Sequence, residues 1–183
     1  MTVQDSCTLQ IVDALDACGI PYLLSGSFAS NVYGIPRSTK DADFVIQSSR
    51  GVGSDFEKKL GNDFQLDPQL SFETVTGTYK QLVRHSKASF RIEIFLLSQD
   101  PHDQERFARR RQENLFGRKV WLLSAEDSII SKLRWSRGKD EDDIRNIISI
   151  QASKLDWPYI DIWCKKHGTL DLLQKIRRSV PDV

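Results

Sequence analysis

The residues best placed to do chemistry are three carboxylates, Asp41, Asp43 and Glu93, and the pair Gly26-Ser27. In Asp41-Ala42-Asp43-Phe44-Val45-Ile46 the alternation of a β-strand puts both aspartates on one face, one pleat apart. Two like charges so placed repel unless a cation lies between them, which invites a divalent metal. Glu93 alternates with Ile92 and Ile94 in a strongly apolar strand, where a lone carboxylate is costly to bury without a cation or a donor. It is the candidate third acid. The bland reading of Glu93 is a water-facing side chain or a pair with Arg91 or Arg84. Gly26-Ser27 follows an apolar run and opens a short helix. Its free N–H groups suit a phosphate, with Ser27 as the expected cap. Gly34 is expected in the left-handed position ending that helix, with Pro36 beyond it. A phosphate-friendly helix start beside a metal-friendly carboxylate pair points to a nucleoside triphosphate site.

The elements that must position these groups follow from periodicity. Helical spacing over Gln4–Cys18 ends at Gly19, and Pro21–Ser25 reads as a strand. Ser54–Leu60 reads as a helix, and strands are expected at Phe72–Thr76, Tyr79–Arg84 and Phe90–Leu97. Asp100-Pro101 is a cap and first-turn proline opening a helix to about Asn114. A short strand at Lys119–Leu123 leads to a capping box at Ser124–Asp127 that opens a helix to Ser136, and helices at Lys139–Ser153, Trp157–Lys166 and Thr169–Arg178 complete the chain. The expected fold class is α+β, a mixed sheet flanked by helices with a helical C-terminal part. The division expected is an α/β core at 1–118 and a helical part at 119–183 packed on it as one unit.

Composition sets the outer bounds. The 183 residues are 39% hydrophobic and 28% charged, with a net charge of +1, which belongs to a soluble globular chain and gives no global argument for nucleic acid. No apolar run reaches the length of a membrane span, and the polar N-terminus does not read as a signal peptide. Cys7, Cys18 and Cys164 form no CxxC pair and read as reduced thiols, so a cytoplasmic protein is expected. His85, His102 and His167 show no ligand spacing, which argues against zinc. The four tryptophans read as packing residues of the helical part. The basic segment Arg106–Lys119 could grip a polynucleotide, but interleaved glutamates favour a solvated helix face.

Gly26-Ser27 followed by Gly34-Ile35-Pro36-Arg37-Ser38-Thr39-Lys40-Asp41-Ala42-Asp43 resembles the GS…GxxRxTxDxD signature of the nucleotidyltransferase superfamily, with its DNA polymerase β-like fold. The chain is most similar there to small bacterial AbiEii-like and minimal nucleotidyltransferases, and Lys139-Asp140-Glu141-Asp142-Asp143-Ile144 extends the likeness. The resemblance implies that Asp41, Asp43 and Glu93 hold two Mg²⁺ (or Mn²⁺) ions, although aspartate is commoner than glutamate at the third position. It implies that Gly26, Ser27, Arg37, Thr39 and Lys132 bind the nucleotide, with Thr39 ordering the turn and an exposed helix lysine as the alternative for Lys132. Asp140 and Asp143, one turn apart, are either a second rank of site residues or simple complements to a helix dipole. The activity implied is transfer of an NMP, AMP by default, to a hydroxyl on a protein, tRNA or small molecule. A cognate partner protein of the toxin–antitoxin kind and no membrane contact are expected with it. The alternative is a catalytically inactive nucleotide-binding or antitoxin-like module on the same fold.

Overall fold

The computed structural model describes residues 1–180. Its centre is two strands whose alternation the sequence announces, β2 (Asp41–Ile46) and β6 (Arg91–Leu96), paired in parallel so that Asp43 lies opposite Glu93. Around them form β1 (Tyr22–Leu24), β3 (Phe64–Leu66), β4 (Ser71–Glu73), β5 (Thr78–His85), β7 (Arg111–Leu115) and β8 (Arg118–Leu122). The eight strands make one mixed sheet in the order β3-β5-β6-β2-β1-β8-β7, with β4 added against β5. Alternate residues Ala42, Phe44, Ile46, Ile92 and Ile94 are buried in the same core as Ile11 and Leu15 of α1 (Val3–Ala17) and Phe56 of α3 (Ser54–Leu60). The other set of alternate residues faces the cleft described below.

Helices flank the sheet. α2 (Gly26–Tyr33) follows β1 directly, and α4 (Pro101–Ala108) follows β6. The C-terminal third is helical: α5 (Ala125–Trp135), α6 (Gly138–Gln151), α7 (Trp157–His167) and α8 (Leu170–Ser179). α2 packs against both α5 and α6, and α5 against α7. Among the described residues no helix is long and apolar enough to cross a membrane.

Several local expectations are corrected. The helix opened by Asp100 stops at Ala108, and residues 111–122 form a hairpin instead of continuing it. Its two loop residues, Phe116 and Gly117, both have positive φ (52° and 83°), the twist that a two-residue hairpin loop requires. The strand expected at 72–76 is only Ser71–Glu73, followed by a turn. Ser25, not Ser27, occupies the N-cap position of α2, without a side-chain cap bond, and Gly34 is extended (φ −124°) rather than left-handed. Ser124 caps α5 through the Asp127 N–H, but the Asp127 carboxylate turns elsewhere, accepting from Ser124 Oγ, Tyr159 and His102. Trp135 lines the cleft and Trp121 sits in β8, so not all tryptophans belong to the helical packing.

The basic segment is not a solvated helix face. Arg106 is buried against Asp103 at 2.8 Å, Arg109 stacks 3.7 Å from the Tyr159 ring, and Arg110 lies over Phe107 and Trp121. Only Arg111, Arg118 and Lys119 are exposed, Arg118 pairing with Asp13.

A Cβ at Gly117 would meet nothing within 4 Å, so only backbone strain opposes a side chain there. Gly117→Ala should cost about 1–2 kcal/mol, read as a lower denaturant midpoint at unchanged slope.

Candidate active site

Asp41, Asp43 and Glu93 project from β2 and β6 into one cleft of about 250 Å³, whose walls include Gly26, Ser27, Lys80, Lys132 and Arg137. The start of α2 is tied to the acidic strand by the Ser25 N–H, which donates to the Asp43 carbonyl at 2.7 Å. Gly26 has φ +59°, and a Cβ there would stand 1.9 Å from Asp43 Oδ2. Glycine is therefore required twice over, for its backbone angle and for the space that the Asp43 carboxylate occupies. Burial, then the Asp41 and Glu93 carboxylates, push Asp43 up to about 7. A carboxylate held that far above its ordinary range is short of positive charge. The donor set is oxygen-only, as Mg²⁺ or Mn²⁺ prefers, so the three acids fit such a cation.

Glu93 finds neither Arg91 nor Arg84. Lys80 Nζ, from the neighbouring strand β5, lies 3.3 Å from Glu93 and 3.1 Å from Glu73 of β4. Both Lys80 and Glu73 line the cleft, and nothing in the local sequence singled them out. The signal was weak: a lysine in an alternating strand is ordinarily a solvent-facing residue.

The helical half contributes an ion network. Lys132 is buried, with Nζ 2.6 Å from Asp143 and 3.4 Å from Asp140. Arg37 donates from Nε and Nη2 to Asp143, both at 2.7 Å, and from Nη2 to Ser27 Oγ at 3.1 Å. Arg137 reaches Asp140 at 2.7 Å through Nε. Asp140 and Asp143 are thus both buried and hold cations in place, more than a helix-dipole role demands. Burial alone would raise both aspartates, but these donors hold them below the usual carboxylate range. Three cations against two carboxylates leave one positive charge, on the side of the cleft where Ser27, Lys132 and Arg137 lie. Arg37 does not line the cleft; it braces Ser27 and Asp143 from behind, and Asn31 clamps its backbone N–H and carbonyl. Thr39 donates to the Asp41 carbonyl at 2.9 Å and to its carboxylate at 3.1 Å, ordering the entry to β2. Arg137 is a further residue that local sequence did not mark.

The family described as "nucleotidyl transferase of unknown function (DUF2204)" matches residues 6–178. The chain is similar to the solution structure of the antibiotic-resistance factor ANT(2'')-Ia, at 13% identity and a TM-score of 0.57 over 96% of each chain. It is also similar to the lincosamide antibiotic adenylyltransferase LnuA with lincomycin bound, at 15% identity and a TM-score of 0.52, over 82% of this chain and 99% of that one. A third is an antigenic nucleotidyltransferase-like protein from Paracoccidioides brasiliensis, at 25% identity and a TM-score of 0.52, over 84% of this chain and 78% of the other. The likeness to the first two is one of fold, and it bears out the α+β architecture. No curated protein sequence matches the chain.

Because Asp43 titrates near 7 when folded, the folded state binds more protons than the unfolded chain between the ordinary carboxylate range and about 7. Stability from this group is complete at low pH and is lost as pH rises through 7. Metal-free Asp43→Asn should therefore melt above the wild type at pH 8 and level with it near pH 4, in paired thermal melts. Gly26→Ala should fold less stably than Gly117→Ala and should also lose Mn²⁺ binding, because the methyl group displaces the Asp43 carboxylate.

Proposed function

The chain belongs to the nucleotidyl transferase family of unknown function, and from that premise we propose that it transfers AMP from ATP to an acceptor hydroxyl. The observation that carries the reading is the in-register placement of Asp43 opposite Glu93, with Asp41 one pleat away and the α2 N-terminus beside them. In this reading the α2 N–H groups, Ser27, Lys132 and Arg137 bind the triphosphate, with Arg37, Asp140 and Asp143 holding those donors in position. Held by Asp41, Asp43 and Glu93, Mg²⁺ or Mn²⁺ supplies neutralisation of pyrophosphate charge and acidification of the attacking hydroxyl. The acceptor oxygen forms a bond to the α-phosphorus, the bond from that phosphorus to the bridging oxygen breaks, and pyrophosphate leaves. Glu93 takes the hydroxyl proton, and Lys80, shared between Glu93 and Glu73, moves toward Glu73 as that happens. Residues 1–118 then supply the acidic face and residues 119–183 the triphosphate lysine. The acceptor wall is mixed, with Phe95 and Trp135 beside Thr76, Thr78 and Arg106, and suits a hydroxyl on a molecule with both apolar and polar surface.

One observation favours a second reading. Lys80 already neutralises Glu93, which is the arrangement expected of a module that binds a nucleotide without turning it over, as an antitoxin-like partner would. The two readings part on product. Incubation with α-labelled ATP, Mg²⁺ and cell extract should move the label onto an acceptor and release pyrophosphate, whereas γ-label should leave only with the pyrophosphate. The Asp41→Ala/Asp43→Ala variant should lose at least about a hundredfold of that rate. Full transfer by that variant would exclude the assignment, and ATP binding with no pyrophosphate released would establish the binding module.

Weakening the network gives a separate readout. Asp143→Ala leaves Arg37 and Lys132 without their shared partner, so the apparent affinity for ATP should fall about tenfold or more, measured by calorimetric titration.

A further inference from the structure

Away from the cleft, the fold brings together Asp100, His102 and His167, which sequence spacing leaves scattered. One ligand atom from each lies within 4.8 Å of the others. None of the three lines the cleft. His102 is 0% exposed, at the start of α4, and its Nε2 lies 3.1 Å from Asp127 Oδ1. Asp127 also accepts hydrogen bonds from Ser124 and Tyr159, so it acts as an acceptor toward the imidazole and Nε2 carries the hydrogen. Nδ1 of His102 is then left with a lone pair, and it is buried with no hydrogen-bond partner among the described residues. Nδ1 of His167, at the last residue of α7, is buried and unpartnered in the same way. Their rings stand 5.0 Å apart, edge to face.

Two orphaned imidazole nitrogens beside a carboxylate are expensive to bury for packing alone, because each loses its hydrogen bond to water and gains none in return. The Asp127–His102 contact is also the arrangement by which a carboxylate fixes the tautomer of a metal-bound histidine. We propose that Asp100, His102 and His167 form a zinc-class transition-metal site joining the N-terminus of α4 to the C-terminus of α7. Two imidazoles and one carboxylate, with a fourth position open to water, suit Zn²⁺ or Co²⁺ and not Mg²⁺. The ligand atoms of a tetrahedral zinc site lie about 3.3–3.6 Å apart, given bonds of about 2.0–2.2 Å. Asp100 and His167 are only partly buried and close that gap, while His102 is held by Asp127. Asp100 caps α4 through Oδ1, accepting from the His102 and Asp103 N–H groups, which leaves Oδ2 for the ion. Arg134 approaches Asp100 at 3.6 Å and Asp103 at 3.9 Å, and Asp103 retains it when the ion binds.

The test uses tag-free, metal-depleted full-length protein titrated with Co²⁺ and Zn²⁺. Visible d–d bands of tetrahedral Co²⁺ are expected at one ion per chain, displaced by Zn²⁺, together with a rise in Tm. His167→Ala should weaken this binding at least about tenfold. Asp100→Asn should do the same while keeping the helix cap, which asparagine serves equally well. An ion held instead by the Asp41–Asp43–Glu93 face would survive both substitutions and lacks the imidazole-bound Co²⁺ spectrum, so the two sites are counted separately. Absence of the tetrahedral Co²⁺ signal, or a signal unchanged in both variants, overturns the proposal.

Discussion

Mutual repulsion among three carboxylates on one sheet face is the constraint around which this molecule is arranged. The parallel pairing of the two central strands sets Asp43 directly across from Glu93, and strand periodicity adds Asp41 to the same face. Hydrophobic burial of the alternate residues fixes that register, since a slip by one residue would turn Phe44, Ile92 and Ile94 toward the cleft and the acids toward the core. The apolar side of the sheet therefore holds the acidic side in an arrangement that electrostatics alone would disperse.

Compensation comes from two directions. Lys80 answers Glu93 from within the sheet, whereas Lys132 and Arg137 reach the cleft from the helical half. These last two are steadied by Asp140 and Asp143, so a second, inverted layer of charge stands behind the first. Buried ion pairs contribute little net stability, because desolvation offsets much of their attraction. The value of this layer is positional: Arg37 reaches from the loop before β2 to a helix more than a hundred residues later and braces Ser27 on the way.

What was legible in the sequence was whatever local chemistry dictates. Asp41, Asp43 and Ile46 announce their strand by alternation, and Glu93 stands out because its neighbours are apolar. The element order was readable wherever an apolar period ran long. Residues 109–115 were not, since arginine, glutamine and glutamate favour a helix and only Gly117 marks the hairpin. Lys80, Glu73 and Arg137 escaped notice because each becomes significant only through a partner on another element. The meeting of His102 with His167 is hidden for the same reason: it depends on how α7 lies against α4 and α5, which no spacing rule encodes.

The sheet order carries one more consequence, for how the chain is made. β1, made well before β8, pairs on one side with β2 and on the other with β8, so Leu24 meets Leu122 across nearly a hundred residues. Until residue 122 has emerged, one edge of β1 has no partner, and the apolar Tyr22-Leu23-Leu24 segment is open to pairing with other chains. Pairing across so many residues is slow, so the sheet is completed only after β8 has emerged. The nascent chain thus passes through an interval in which its acidic strand is built and its flank is still unguarded.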